Sequence, residues 1–199
     1  MLETLQPYIL SFIPVFVAVD AIGNIPVFIS LVEGQSKRHK RKIIVESVVT
    51  AAAMAVIFMF IGKLVLRALG ITIFDFQISG GGLLFVIAVR LLLPGASKGL
   101  LAGAHERDVG VFPLGTPLIT GPAVLTTTLI VLDSYGIVPT FVSLILNLLI
   151  VWVSLVKADM LMKLFGQAGT RAVAKIMYIL LAAIAVMMIR RGITGAFLK

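Results

Sequence analysis

VDAIGNIPVF, residues 19–28, decides how the rest of the chain is read. It lies inside a long apolar run that otherwise has the character of a membrane helix. Yet Asp20, Gly23, Asn24 and Pro26 follow one another within seven residues. An Asp at the centre of a span costs about 2.5–3.5 kcal/mol on insertion scales. Relative to Ala, Gly and Pro cost about 1 and about 3 kcal/mol inside a helix. A chain that accepts these costs together is breaking the helix at a chosen depth.

The surrounding composition fixes the class. The chain has 199 residues, 60% of them hydrophobic and 13% charged, with a mean hydropathy of +1.13. Soluble domains are roughly 45–50% apolar and about 25% charged. Several apolar stretches reach the roughly 20 residues that cross a bilayer as a helix. The alternating ten-residue segments of a membrane barrel are not visible. The expected fold is therefore all-α, a polytopic membrane protein. There are no cysteines, which excludes disulfides, thiolate catalysis and Cys-ligated metals. His39 and His105 stand far apart in polar loops. No cluster has metal-ligand spacing, and neither metal nor cofactor is expected. The formal charge of +8 is read as loop charge that sets orientation rather than as a nucleic-acid surface.

Spans are expected at about 8–32, 43–66, 71–92, 111–132, 137–157 and 172–192. The opening MLETLQPYIL carries Glu3 and no Lys or Arg, so it lacks the basic region of a signal peptide. The first apolar stretch is expected to remain as a span. Lys37, Arg38, Lys40, Arg41, Lys42, Arg90, Lys98, Arg107, Lys157, Lys163, Arg171 and Lys175 fall on one side. Lys63, Arg67, Arg190, Arg191 and Lys199 fall on the other. The positive-inside rule then makes the richer side cytoplasmic and places both termini outside. The run KRHKRK, residues 37–42, reads as a topology anchor at a short turn.

Two halves are expected, 1–96 and 97–199, of three spans each. The first opens on a span containing GNIPVFISL, the second on PLITGPAVLTTTL. Aligning Pro26 with Pro122 sets Asn24 opposite Thr120 and Ser30 opposite Thr126. A three-span unit has odd parity, so its copy enters from the other side. Inverted-topology pairs with Gly/Pro-interrupted spans are a common build of secondary transporters, and the interruptions point to the binding site.

The breaks have a physical use. Proline removes a backbone donor and clashes with the carbonyl four residues back. Broken backbone at membrane depth survives only inside protein or beside a water-filled cavity. Half-helix N-termini near Pro26 and Pro122 would present N–H groups and partial positive charge to a carboxylate. Half-helix C-termini near Gly23 and Thr120 would present carbonyls to an ammonium group or a cation. A small zwitterion fits both. Asp20 either relays a proton or binds a cation, or caps the second half-helix, held by Asn24 and freed N–H groups.

Other polar residues carry less. Glu46 is expected to snorkel or pair with Lys42. Asp75 and Gln77 are expected at the outer interface, and Asn147 as an interhelical hydrogen-bond partner or a pathway residue. Thr116, Thr126, Thr127 and Thr128 can bond back to their own helix. The triplet Gly80, Gly81, Gly82 allows close helix approach or gives a broken neighbour room to move. Gly81 is on that second reading a candidate site residue.

DAIGNIPVF, SGGGLLFVIAVRLL, FPLGTPLITGPAVLTTTLIV and ILLAAIAVMMIRRGI together resemble the MarC family, also called the small neutral amino acid transporter family. The likeness spans essentially the whole chain. It implies six spans, both termini outside, and residence in a bacterial inner membrane or archaeal plasma membrane. It also implies, for some members, movement of glycine, alanine and similar amino acids under a proton or ion gradient. The motif residues carried over are Asp20, Gly23, Asn24 and Pro26, then Pro117, Thr120, Gly121 and Pro122.

The functional expectation is a secondary transporter of small neutral amino acids with a site near the bilayer middle. Its candidate substrate residues are Asp20, Gly23, Asn24, Pro26, Gly81, Thr120, Gly121 and Pro122. Asp20 is also the candidate for coupling to a proton or sodium ion. The competing expectation is an exporter or channel for other small solutes or drugs. A membrane enzyme would need a metal cluster or a nucleophile with its base, and the sequence offers neither. The expected partners are the amino acid, the coupling ion and membrane lipid. No coiled coil or soluble partner domain is visible, so no oligomeric state is expected from sequence.

Overall fold

The computed structural model describes residues 2–32, 34–93, 110–163 and 166–197. The expected boundary at residues 96 and 97, together with Lys98, His105, Arg107 and Lys199, lies outside the described residues, as do the side chains of Lys163 and Arg171. Among the described residues all regular structure is helical, as the composition requires of a chain that must satisfy its backbone without water. The elements are α1 (Leu2–Val19), α2 (Asn24–Leu31), α3 (Lys37–Ala68), α4 (Ile73–Leu92), the irregular α5 (Gly110–Ile119), α6 (Pro122–Tyr135), α7 (Ile137–Val156), α8 (Ala158–Lys163) and α9 (Gly166–Phe197).

Among the described residues, five stretches are long and apolar enough to cross a membrane: Leu5–Leu31, Lys37–Ala68, Ile73–Leu92, Ile137–Val156 and Ala172–Phe197. The first contains α1 and α2 with the turn between them. α5 and α6 meet at a bend of 50° and make a sixth if counted as one span. The helix starts follow ordinary rules. Ser36 caps α3, its Oγ accepting from His39 N. Thr72 and Asp75 form a reciprocal capping box at α4, which places Asp75 at a span end, as expected.

α4 lies along α9, α1 against α7, and α3 against α5. α1 also meets α6, α3 meets α7, α2 meets α9, and α4 meets α6. Small residues set the closest approaches. A methyl built on Gly81 would lie 2.8 Å from the Ala185 carbonyl oxygen, and one on Gly192 would lie 2.7 Å from the Phe74 carbonyl oxygen. Phe28, Leu114, Ile119, Leu129, Leu144 and Val15 fill the centre. The outward faces carry exposed Ile, Leu, Val and Phe, the surface a bilayer solvates.

Without a hydrophobic force between helices in lipid, polar side chains contribute to the joins. Ser143 Oγ donates to the Ser11 carbonyl at 2.9 Å, tying α7 to α1. Thr120 Oγ1 donates to the Ala51 carbonyl at 3.0 Å, tying the α5–α6 bend to α3. Asn147 Nδ2 donates to Ser143 O at 2.9 Å and reaches Phe12 O at 3.4 Å, as an interhelical partner should. Ion pairs join Lys40 to Asp159 and Lys63 to Asp133.

Candidate functional site

The first break is a tight turn over residues 20–23. Asp20 adopts φ +46, the left-handed region. Asp is one of the few non-Gly residues that visit that region, because its short side chain bonds locally. Here its Oδ1 accepts from the Gly23 N–H at 3.1 Å. The Asp20 carbonyl accepts from Asn24 N at 3.1 Å, and Ile22 O accepts from Ile25 N at 3.2 Å. The carboxylate thus holds the turn that leads into α2, whose N-cap Gly23 has no side-chain cap. The Asn24 amide does not hold it: Nδ2 donates to the Val19 carbonyl at 2.9 Å, the freed end of α1. A side chain at position 23 would displace the Asp20 carboxylate. A methyl there would lie 2.1 Å from Asp20 Oδ2.

α2 begins at Asn24, two residues before Pro26. Pro26 therefore occupies the first turn, where a missing N–H removes no helical bond. It is buried in the helix start and does not line the cavity described below.

The second break is longer than the GP pair suggests. Phe112 (φ −134, ψ 130) and Thr116 (φ −138, ψ 129) are extended inside α5. Each precedes a proline, Pro113 and Pro117, and a residue before proline is driven out of the helical region. Two such steps four residues apart leave a wide, irregular coil. The chain then turns at Thr120 and Gly121 and restarts at Pro122, the first residue of α6. Gly121 packs against backbone: an added methyl would lie 2.1 Å from the Pro117 carbonyl oxygen. No side chain caps this end of α6. First-turn N–H groups have no intrahelical acceptor, and the residues that carry them, Ala123 and Val124, line the cavity.

Both breaks contribute to that one cavity. Asp20, Gly23 and Asn24 come from the first, and Pro117, Gly121 and Pro122 from the second. Its volume is about 40 Å³. One water needs roughly 10–15 Å³ on this measure, and drug-sized ligands occupy pockets of about 300–1,000 Å³. The space suits a solute of a few heavy atoms. Leu84 of α4 and Met177, Leu181, Ile184 and Met188 of α9 complete the wall.

Six expected residues or their motif neighbours therefore meet, and three expected ones lie outside the cavity wall. Thr120 spends its hydroxyl on Ala51. Pro26 shapes the helix start. Gly81 lies against Ala185 and Ile189 of α9 rather than at the cavity. Its neighbour Gly80 instead receives the second break, since a methyl there would lie 1.9 Å from Pro122 Cγ. The α9 wall was not foreseen. Its signal was available in the spacing of Met177, Leu181, Ile184 and Met188, which repeats every three or four residues as one helix face does. Thr126 and Thr128 bond back to Pro122 O at 2.8 Å and Val124 O at 2.7 Å, as expected of threonines in such a helix.

A family model, that of the MarC family integral membrane protein, matches residues 5–197. The chain belongs to the MarC family. It is 31% identical to the UPF0056 membrane protein of Methanocaldococcus jannaschii, over 98% of this chain and 99% of that one. It is also 31% identical to the UPF0056 inner membrane protein YhgN of Escherichia coli, over 87% of this chain and 89% of its relative. The UPF0056 membrane protein of Archaeoglobus fulgidus is similar at 31%, over 92% and 90%. No solved structure matches the chain. The chain is thus an integral membrane protein, and none of these relatives' names carries an enzymatic activity.

Proposed function

We propose that this MarC-family protein is a secondary transporter of small neutral amino acids such as glycine and alanine. The observation that carries the proposal is the meeting of two interrupted spans at one small cavity. The uncapped start of α6 supplies N–H groups and partial positive charge for the substrate carboxylate. The freed carbonyls at the end of α1, beside Asp20, supply the acceptors for its ammonium group. The cavity's volume of about 40 Å³ favours such a solute over a drug.

The proposal includes six spans arranged as inverted halves, with both termini outside. Exchanging first for fourth, second for fifth and third for sixth spans turns the α1–α7 contact into the α5–α3 contact. It turns α4–α6 into α9–α2, and leaves α4–α9 and α3–α7 in place. Each of these contacts is present. Hydroxyl hydrogen bonds also tie the fifth span to the first, from Ser143 to Ser11, and the fourth to the second, from Thr120 to Ala51. Alternating access then moves one broken span with its neighbours against the rest. Asp20, whose carboxylate holds the first turn closed, couples that motion to a proton or a sodium ion.

Ligand-induced thermal stabilisation of the purified protein tests the binding step. Glycine and alanine should raise the unfolding midpoint in a saturable way, because a ligand that binds only the folded state stabilises it by mass action. Leucine should not. No shift with any small zwitterion, from folded protein, would remove the substrate assignment.

A further inference from the structure

The first turns of α3 carry more positive charge than the fold uses. Lys40 pairs with Asp159 at 3.1 Å, and Lys42 with Glu46 at 3.4 Å. Lys37, Arg38 and Arg41 have no ion-pair partner among the described residues. All three are exposed. They line an open groove with Lys42, Val45 and Glu46. At 100° per residue, Lys37, Arg41, Val45 and Arg38 fall within one sector of about 100°.

Orienting the chain in the membrane needs positive charge on this side but does not need it gathered on one helix face. The groove's continuation is the second observation. Val45 and Val49 extend the same face toward the membrane and are 47% and 60% exposed. The rise from Arg41 to Val45 is about 6 Å. Three cations without an ion-pair partner among the described residues thus adjoin exposed apolar side chains on the same helix face. Glu46 closes the inner end of the groove with a carboxylate already paired to Lys42, so the anion belongs at the Lys37–Arg38–Arg41 end.

We propose that this groove binds an acidic glycerophospholipid, its headgroup phosphate held by Lys37, Arg38 and Arg41 and its acyl chains laid along Val45 and Val49. Free phosphate shares the charge but has nothing to place on the apolar continuation. Bidentate guanidinium contact suits a phosphate, and basic residues beside a membrane span are the usual receptors for acidic lipid.

The test is native mass spectrometry of the detergent-solubilised full chain, titrated with equal amounts of phosphatidylglycerol and phosphatidylcholine. The wild type should retain phosphatidylglycerol preferentially by roughly tenfold or more. The triple variant Lys37→Gln, Arg38→Gln, Arg41→Gln should lose that preference. The triple Arg67→Gln, Arg190→Gln, Arg191→Gln removes the same charge elsewhere and should keep it. Should the first triple misfold by gel filtration, Arg41→Gln alone decides, with an expected loss of roughly fivefold. The proposal is overturned by a wild type without preference, by equal losses in both triples, or by an unaffected Arg41→Gln. It is equally overturned if millimolar inorganic phosphate displaces the lipid completely, which would assign the groove to free phosphate.

Discussion

The Asp20 carboxylate closes over the backbone of Gly23, accepting its N–H at 3.1 Å, where a side chain on residue 23 would displace it. The acid that interrupts the first span thus also holds the turn from which α2 starts. Gly23→Ala must expel the carboxylate, because its methyl would lie 2.1 Å from Oδ2. A hydrogen bond to a charged group contributes about 1.5–3 kcal/mol, so glycine transport should fall roughly tenfold or more. Gly23→Ala transport rates within twofold of wild type would show that the closed turn is not part of the site.

Asp20→Asn separates charge from shape. Asn enters the left-handed region as readily as Asp, and its side-chain oxygen can still accept the Gly23 N–H. The turn should therefore survive, and substrate exchange with it. Gradient-driven uptake should be lost, because the group that gains or releases the coupling ion is gone. Uptake by Asp20→Asn with an unchanged dependence on the proton or sodium gradient would take the coupling role from Asp20.

Two glycines of α4, Gly80 and Gly82, should respond in opposite directions. A methyl at Gly80 would lie 1.9 Å from the Pro122 ring, whereas one at Gly82 meets nothing within 4 Å. Overpacking typically costs about 1–3 kcal/mol, and relieving a helical glycine gains about 0.5–1 kcal/mol. Gly80→Ala should lower the unfolding midpoint and displace the second break. Gly82→Ala should leave the midpoint unchanged or raise it. Equal tolerance of both substitutions would mean that α4 does not pack on the second break as described.

Thr120→Val keeps the shape of the side chain and removes the bond to Ala51 O. A neutral hydrogen bond contributes about 0.5–1.5 kcal/mol net. The unfolding midpoint should drop modestly, while the affinity for glycine stays within a few-fold of wild type, because Thr120 does not line the cavity. A loss of binding much larger than the loss of stability would make Thr120 a substrate contact.

Much of this was legible in the residues. The five stretches long enough to cross a membrane fall on apolar runs visible in the residues, and VDAIGNIPVF and ITGPAV marked both breaks. The details that escaped are those set by local dihedrals and by packing. The first half-helix ends at Val19 rather than near Gly23, because Asp20 itself takes the left-handed turn. Its N–H groups are consumed inside that turn, so the start of α2 is not the open anion site that its proline suggested. The second break spreads back to Gly110 because Pro113 and Pro117 each force an extended neighbour. FPLGTP shows those prolines, but residue type alone does not tell how far back the break extends. Gly81 and Gly80 look alike in sequence. Only the rotation of α4 against α6 and α9 decides which of them meets the break.

Counterflow of radiolabelled glycine and alanine in proteoliposomes of the purified full chain tests the carrier assignment most directly. Saturable exchange should appear with wild type and be lost with Asn24→Ala, whose side chain ties the two halves of the first span at the cavity wall. Absence of exchange from folded, inserted wild-type protein would contradict an amino-acid carrier. Steady, non-saturating flux would assign the same cavity to a channel.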